Sequence, residues 1–119
     1  MAIPPEIHGQ KYIVLTTFRK TGVPVPTPVW FAEQGGKLYI VTRENSGKCK
    51  RILNNPQVRI APSTIRGKII GPEFPANARI LPSEDWPRAR KAIRDKYWMA
   101  RLSLQPKKNV YLEIDPDRN

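Results

Sequence analysis

The sequence is poor in the residues that build covalent and metal-dependent active sites. Its 119 residues include one cysteine and one histidine. A lone Cys49 cannot form an internal disulfide, which makes the cytoplasm the expected compartment. His8 by itself cannot hold a metal ion, so we interpret it as a surface residue and predict no metal site. With one histidine ahead of the first predicted strand, a Ser-His-Asp hydrolase is also disfavoured.

Long apolar stretches and nucleotide-binding signatures are missing as well. No uninterrupted apolar run exceeds four residues, which excludes a membrane-spanning helix. Residues 1–6 have neither the basic start nor the apolar stretch of a signal peptide. The chain has no Gly-x-Gly-x-x-Gly pattern and no P-loop. With 39% hydrophobic residues, its length fits one folded domain over residues 1–119.

Acidic residues are scarce, because 10 Asp and Glu stand against 21 Lys and Arg, for a net charge of +11. This excess predicts an anionic partner: a nucleic acid, an anionic membrane face or an anionic small molecule. The positive charges fall in two blocks within the predicted fold, residues 43–68 and residues 88–108, and not in a terminal arm. That distribution favours a shaped anion site over loose wrapping by a polyanion.

Strands are predicted where β-branched and aromatic runs are bounded by turn residues. Residues 19–22 and the sequence Gln34-Gly35-Gly36 are typical hairpin turns. The runs predict seven strands, over residues 12–18, 23–33, 37–42, 57–61, 68–71, 77–81 and 109–114.

The second predicted strand contains Pro24, Pro26 and Pro28 at every second position. Proline has no N–H group to donate to a neighbouring strand. The three nitrogens must therefore face an unpaired side of the strand. We expect this strand to keep one edge open toward a ligand or a partner chain.

Two helices interrupt the strands. The first begins after Ser46, a good N-cap, and Pro56 prevents its continuation. The second begins near Ser83. Strands joined by short turns, with two peripheral helices, indicate an antiparallel barrel. The predicted apolar faces are Cys49, Ile52 and Leu53 on the first helix, and Trp86, Ala89, Ile93 and Tyr97 on the second.

The segment between the third strand and the first helix contains the parts of a phosphate-binding site. A helix N-terminus offers free N–H groups and the positive end of the helix dipole. Thr42 and Ser46 add hydroxyl groups, Gly47 allows a ligand to approach the backbone, and Lys48 adds a positive charge. On spacing alone, Ser46 as a simple cap and Lys48 as a solvated side chain remain the alternative. Cys49 is interpreted as a buried structural thiol.

Several motifs in a fixed order resemble the flavin-binding split β-barrel family typified by pyridoxamine 5′-phosphate oxidase. The matching residues are Thr27-Pro28-Val29-Trp30-Phe31, Thr42-x3-Ser46-x-Lys48, and Ile52-x-Asn54-Asn55-Pro56. Residues 71–81 are similar to a stretch in the small enzymes that use the deazaflavin coenzyme F-420. The resemblance implies a mainly β split barrel with six to seven antiparallel strands and two peripheral helices.

The resemblance also implies roles for particular residues. Thr42, Ser46 and Lys48 match positions that hold the cofactor phosphate; Val41 and Arg43 flank that site, and Gly47 lies within it. Pro28, Val29 and Trp30 match the strand whose backbone lies along the tricyclic ring. Family members are homodimers with cofactor sites at the interface, and Arg66 and Lys68 fall near the strand that reaches across. The implied activity is hydride transfer between the cofactor and a small organic substrate, with no catalytic side chain assigned.

The sequence departs from true pyridoxamine phosphate oxidases near its end. Those enzymes hold the substrate phosphate partly through C-terminal arginines, whereas residues 114–119 contain one arginine. The basic block over residues 43–68 fits a deazaflavin with an oligoglutamate tail, with FMN as the alternative cofactor. Two other functions stay open: a flavin-storing or sensing protein without a substrate, and a basic barrel that binds nucleic acid. The helical spacing of Trp86, Tyr97 and Trp98 favours core packing over base stacking.

Overall fold

The computed structural model describes residues 3–97 and 109–116. Within these residues the chain forms seven strands and two α-helices, with one 3₁₀ turn (Ser83–Asp85) before the second helix. The elements are β1 (Tyr12–Phe18), β2 (Pro24–Trp30), β3 (Ala32–Gln34), β4 (Lys37–Arg43), α1 (Gly47–Asn54), β5 (Gln57–Ser63), β6 (Phe74–Ile80), α2 (Trp86–Lys96) and β7 (Asn109–Asp115).

All seven strands belong to one antiparallel sheet, in the order β2-β1-β5-β6-β7-β4-β3. The sheet curls on itself, so residues of β1 and of the distant β4 share one core. This confirms the predicted mainly β split barrel with two peripheral helices. In the described part of the chain, neither helix is long and apolar enough to cross a membrane.

The inner face of the curled sheet encloses the main core. Directly opposed residues in an antiparallel ladder share a face, so alternate positions of each strand point inward. Helix α1 packs against β1 and β6 and adds Cys49 and Ile52 to this core. The buried thiol confirms the structural interpretation of Cys49. The fully buried strand residues of the core include Ile13, Leu15, Leu38, Ile40, Val58, Ile60, Leu112 and Ile114.

Helix α2 covers the outer face of the sheet over β3, β4 and β7. Its apolar face is the predicted one, because Ala89 and Ile93 are buried. Trp86 and Tyr97 are partly buried in the same cluster, against Tyr39, Leu81 and Tyr111. These aromatic side chains are core residues, as their helical spacing indicated.

A buried carboxylate joins α2 to the sheet. Glu113 of β7 is 5% exposed, and its oxygens accept hydrogen bonds from Tyr39, Arg79 and Arg88. Arg88 also pairs with Asp85 at 3.0 Å, at the start of α2. The carboxylate therefore connects β4, β6, β7 and α2, and no buried side-chain nitrogen or oxygen in the described residues lacks a partner.

The ionisation of Glu113 makes the fold sensitive to acid. Burial pushes the pKa of this carboxyl upward, but hydrogen bonds from Arg79, Arg88 and Tyr39 outweigh burial and hold the pKa below its usual value. A carboxyl with a lowered pKa in the folded state stabilises it above its unfolded pKa of about 4.3. We expect the free energy of unfolding to fall as pH drops below that value, and urea titrations across pH 3–6 measure this. In Glu113→Gln the free energy of unfolding should fall less steeply with decreasing pH. An identical pH dependence in the variant would contradict the attribution of this acid sensitivity to Glu113.

The prediction of a strand over residues 68–71 is wrong. This segment forms a single β-bridge, between Ile69 and Ser63, flanked by hydrogen bonds from the Thr64 N–H to the Lys68 carbonyl and from the Ile70 N–H to the Pro62 carbonyl. It lies beside the last two residues of β5 only, and Gly71 and Pro72 then end the pairing. Gly71 packs so closely on Pro62 that a Cβ there would lie 2.7 Å from the Pro62 ring.

Other features also differ from the prediction. The strand predicted over residues 23–33 is divided into β2 and β3, because β2 pairs with β1 and β3 pairs with β4 at opposite ends of the sheet order. Leu53 was expected on the apolar stripe of α1 but is 75% exposed, because a helix of eight residues contacts the barrel with one narrow face. Strand β6 begins at Phe74, three residues early, in spite of Pro75. Its pairing with β7 covers only residues 77–80, so the Pro75 nitrogen faces an open side.

Candidate functional site

The start of α1 brings two of the predicted phosphate-binding residues together. Ser46 is the N-cap, and its Oγ accepts a hydrogen bond from the Cys49 N–H at 3.3 Å. Thr42 Oγ1 donates to the same oxygen at 3.4 Å. Because Ser46 Oγ accepts both bonds, its own hydrogen is left to donate. The capping role and an anion-binding role are therefore compatible here.

The remaining donors at this end belong to the first turn of α1. Gly47 and Lys48 are its first two residues, so their N–H groups have no partner within the helix. The Lys48 side chain is half-buried beside them. Hydroxyl and N–H donors thus lie together at one helix start, and Lys48 adds a positive charge on its first turn; a phosphate group is bound by donors of these kinds.

Arg51 also lies at this helix start, although spacing alone assigned it no role. Its Nε donates to Thr17 Oγ1 of β1 at 2.6 Å. Its terminal nitrogen Nη1 lies across Gly47, where a Cβ would approach it to 2.6 Å. Residues four apart share a helix face, and helical side chains lean toward the N-terminus. That spacing was the one available signal, but the bond to Thr17 comes from the tertiary fold.

Val41 and Arg43 do not point their side chains into this group. Val41 packs in the outer cluster under α2, and Arg43 is exposed at the end of β4. The Arg43 carbonyl instead accepts bonds from the Ser46 N–H and the Cys49 thiol, which fixes the turn that leads into α1. Any part that these two residues play at the site would be through their backbone.

The three alternating prolines lie on the free edge of β2, as predicted. The Arg19 N–H donates to the Val23 carbonyl, and this bond shows which residues of β2 form backbone hydrogen bonds with β1. Because hydrogen-bonded pairs alternate, the backbone groups of Val25, Thr27 and Val29 bond to β1, and those of the intervening residues point away from β1. The outward residues are Pro24, Pro26, Pro28 and Trp30.

This free edge has an unusual set of backbone groups. The three prolines present carbonyl oxygens and no N–H groups. Trp30 therefore has the one outward N–H of β2. The edge cannot pair with an incoming strand along most of its length, but at Pro28 and Trp30 an acceptor is followed by a donor. That pair of groups suits a ligand with an amide-like edge.

An aromatic group holds the end of β2. The Trp30 side chain is 48% exposed and stacks on Tyr97 with ring centroids 5.2 Å apart. Tyr12 meets Trp30 edge-on at 6.2 Å. The Tyr97 hydroxyl lies 2.6 Å from the Phe31 carbonyl and 2.8 Å from the Lys11 carbonyl. Burial raises the pKa of Tyr97 to about 12, so this hydroxyl remains a donor at neutral pH.

Removing that hydroxyl should loosen the attachment of α2 to β2. Tyr97→Phe is expected to lower the free energy of unfolding by about 1–2 kcal/mol, the usual loss for a partly buried hydrogen bond. Urea denaturation measures the change. Tyr12→Phe is the matched control, because the residues described here provide no hydrogen-bond partner for the Tyr12 hydroxyl. Equal losses in both variants would show that the Tyr97 hydroxyl has no special role.

Arg66 and Lys68 lie beside the same strand edge. Both belong to the turn that follows β5, where the Gly67 N–H donates to the Thr64 carbonyl and φ of Gly67 is +87°. A Cβ at Gly67 would lie 3.5 Å from the Pro28 ring. The turn therefore packs against Pro28, with the two exposed basic side chains on either side of the contact.

The ladder register relates the two groups of site residues. Arg51 is bonded to Thr17, and Thr17 is directly opposite Val25 of β2. Pro28 and Trp30 lie three and five residues farther along β2, which corresponds to about 10 and 17 Å along the strand. The contact of Arg51 with β1 and the acceptor–donor pair of β2 are thus offset along the strands by a length that an elongated small molecule could span.

No metal centre competes with this site in residues 3–97 and 109–116, where no group of three or more metal-binding side chains occurs. His8 is exposed, as predicted, and its Nδ1 is 2.6 Å from Glu33. The Glu113 cluster is fully bonded and joins α2 to the sheet. The prediction for Trp98 lies outside the described residues.

Solved structures share this fold. General Stress Protein 26 from Bacillus anthracis is 26% identical with a TM-score of 0.68, and the match covers 94% of this chain and 84% of that chain. HutZ, the heme storage protein from Vibrio cholerae, is 18% identical with a TM-score of 0.72, covering 100% and 93%. A heme binding protein from Mycobacterium smegmatis is 15% identical with a TM-score of 0.69; the match covers 88% of this chain but 46% of that longer one.

The sequence itself identifies the family. No curated protein sequence matches the chain significantly. The family model described as pyridoxamine 5′-phosphate oxidase matches residues 2–118, nearly the whole chain. Together with the split-barrel fold, this match shows that the chain belongs to the pyridoxamine 5′-phosphate oxidase family.

Proposed function

We propose that this protein binds a flavin-type cofactor, the deazaflavin F-420 or alternatively FMN, and uses it for two-electron transfer with a small organic substrate. The observation that carries the proposal is the presence of two complementary groups that the β1–β2 register offsets by about 10–17 Å along β2. One is the phosphate-type donor set at the start of α1. The other is the acceptor–donor pair on the free edge of β2.

The β2 edge suits the ring end of such a cofactor. The pyrimidine part of a flavin or deazaflavin has an N–H group flanked by carbonyl oxygens. The Pro28 carbonyl would accept from the N–H, and the Trp30 N–H would donate to a carbonyl. Val29, between them, faces inward and packs on the core, so this part of the edge is rigid.

The start of α1 suits the phosphate end. Thr42, Ser46 and Lys48 supply two hydroxyls and an ammonium, and the first turn of the helix supplies N–H groups. Gly47 leaves this backbone uncovered by a side chain of its own. Arg66 and Lys68, beside Pro28, would meet an anionic extension of the cofactor such as an oligoglutamate tail.

In this proposal the bound cofactor supplies the hydride chemistry. The protein residues position it and limit the access of water. Trp30, locked by its stack on Tyr97, would cover one side of the ring end, and the turn at Gly67 would border the other. The chain's own groups would bind and orient, and we assign none of them as an obligatory acid or base.

A second copy of the chain would cover the exposed apolar surface beside this site. Ile69, Ser63, Tyr12 and Trp30 form one row across the sheet, because each is opposite the next in the register. Trp30 and Ile69 at the two ends are about half exposed, and the nearby Ile65 and Ile70 are exposed as well. We therefore propose a homodimer with cofactor sites near the interface, in the cytoplasm, where the free thiol of Cys49 would remain reduced.

A non-catalytic binding role is the second candidate. HutZ, whose fold this chain shares over its full length, is described as a heme storage protein. A storing or sensing protein would use the same site without a substrate. A nucleic-acid-binding barrel is the remaining alternative, because the net charge of +11 favours any polyanion.

One set of titrations separates these candidates. Purified protein is titrated with F-420, FMN, hemin and a single-stranded oligonucleotide, and binding is followed by absorption and fluorescence. The same titrations with the Trp30→Phe variant test whether the ligand binds beside Trp30. We expect saturable binding of F-420 or FMN at one site per subunit, followed by turnover with an acceptor panel. Flavin binding without turnover would favour storage, while oligonucleotide binding that weakens steeply with salt and no flavin binding would overturn the proposal.

A further inference from the structure

We propose that Arg51 is a direct phosphate-binding residue and the principal source of this site's preference for a phosphorylated ligand. The inference rests on the proposed function for the location of the site. It adds a residue and a ligand property: the site should distinguish a flavin that has a phosphate group from one that lacks it.

The guanidinium of Arg51 is fixed by a hydrogen bond to β1 and lies beside the first residue of α1. Its Nε donates to Thr17 Oγ1, and Thr17 is completely buried at the inner face of β1. Its Nη1 lies beside Gly47, one helical turn earlier, 2.6 Å from the place where a Cβ at residue 47 would stand. A side chain at residue 47 would therefore push the guanidinium aside.

The charge of Arg51 has no acidic partner among residues 3–97 and 109–116. Arg59, Arg79 and Arg88 each form an ion pair with a carboxylate. Arg51 instead bonds to a neutral hydroxyl, which uses Nε and leaves both terminal nitrogens with their hydrogens. A guanidinium prefers two parallel hydrogen bonds to a carboxylate or a phosphate.

The neighbours of Arg51 select a phosphate rather than a side-chain carboxylate. Ser46 and Thr42 contribute hydroxyls, and the first turn of α1 has N–H groups without a partner inside the helix. Lys48 adds a second positive charge on the first turn of α1. This set offers more donors than the two oxygens of a carboxylate can use, and it fits the three or four oxygens of a phosphate group.

The test compares FMN with riboflavin, which has the same ring and ribityl chain but no phosphate. Arg51→Met and Arg51→Lys are compared with Lys50→Met, a control that removes an exposed charge from the adjacent position of the same helix. We expect Arg51→Met to weaken FMN binding about 10- to 100-fold, the scale for a lost hydrogen bond to a charged group. Riboflavin binding should stay within about twofold, and Arg51→Lys should recover only part of the loss.

Two outcomes would overturn the role of Arg51. One is an equal loss of FMN affinity in Lys50→Met, which would indicate a general charge effect. The other is an equal loss of FMN and riboflavin affinity in Arg51→Met, which would indicate a structural effect. Far-UV circular dichroism and urea denaturation establish that each variant is folded, and Arg51→Lys retains the charge if Arg51→Met proves unstable.

Inorganic phosphate distinguishes a failure of this inference from a failure of the proposed function. If the unmodified protein binds neither FMN nor F-420, its thermal stability is measured with added phosphate, with chloride at equal ionic strength as the control. Stabilisation by phosphate that Arg51→Met abolishes would support the anion site while the cofactor proposal fails. No stabilisation by phosphate in a protein that also binds no flavin would overturn both.

Discussion

Replacing Glu113 with alanine is expected to lower the free energy of unfolding by about 3 kcal/mol, the largest effect of any single substitution considered for this fold. Three donors meet the carboxylate at 2.9 Å: the Tyr39 hydroxyl, Arg79 Nε and Arg88 Nη2. Removal of the carboxylate would leave the Tyr39 hydroxyl without its acceptor, in a residue that is 2% exposed. The arginines are about half exposed, so water can solvate them and the loss stays near the lower end of the range for buried ion pairs.

Equilibrium unfolding in urea measures this loss, with Glu73→Ala as the matched control. Glu73 pairs with Arg59 at 3.6 Å, and both side chains are about half exposed. An exposed pair of this kind contributes roughly 0–1 kcal/mol. A similar small loss in both variants would contradict the view that Glu113 connects α2 to the sheet.

Replacing Lys48 with alanine is expected to weaken cofactor binding by about 1.5–3 kcal/mol, or roughly 10- to 150-fold in the dissociation constant. Lys48 is half-buried on the first turn of α1, next to the N-cap Ser46. A phosphate at this helix start would lose a charge-assisted hydrogen bond. The stability of the protein without cofactor should change little, because Lys48 forms no ion pair with any residue described here.

Fluorescence titration with F-420 and with FMN gives the two affinities, and Lys50→Ala is the control. Lys50 lies on the same helix but is exposed, and it should change either affinity by less than about threefold, as expected for a screened surface charge. An unchanged affinity in Lys48→Ala would remove the start of α1 from the proposed site. If the cofactor still bound at the β2 edge, its phosphate would then have to be held by residues other than those at the start of α1.

The features that could be predicted were those with strong local signals. Three alternating prolines forced β2 to an open edge, since a proline nitrogen has no hydrogen to donate. Ser46 ahead of an apolar stripe predicted the start of α1, and Gly35 and Gly36 predicted the turn into β4, where both have positive φ. The strand over residues 68–71 was wrong because local propensity contains no information about which neighbouring strand is already paired.

The site was partly predictable because some of its contacts also depend on local sequence. Thr42 and Ser46 are four residues apart, and their contact follows from the turn between β4 and α1. The side-chain direction of Val41 was not predictable, because it depends on α2 covering that face of β4. Arg51 was missed, since its bond to Thr17 joins residues 34 positions apart.

By itself, the sequence determined most of the secondary structure, the open edge of β2 and the capped start of α1, because each depends on residues within a few positions of one another. It also determined membership of the family, through motifs in a fixed order. Only the tertiary structure decided the Glu113 cluster, the stack of Trp30 on Tyr97 and the position of the Arg51 guanidinium. These contacts join residues 25–74 positions apart, and the curl of the sheet brings them together.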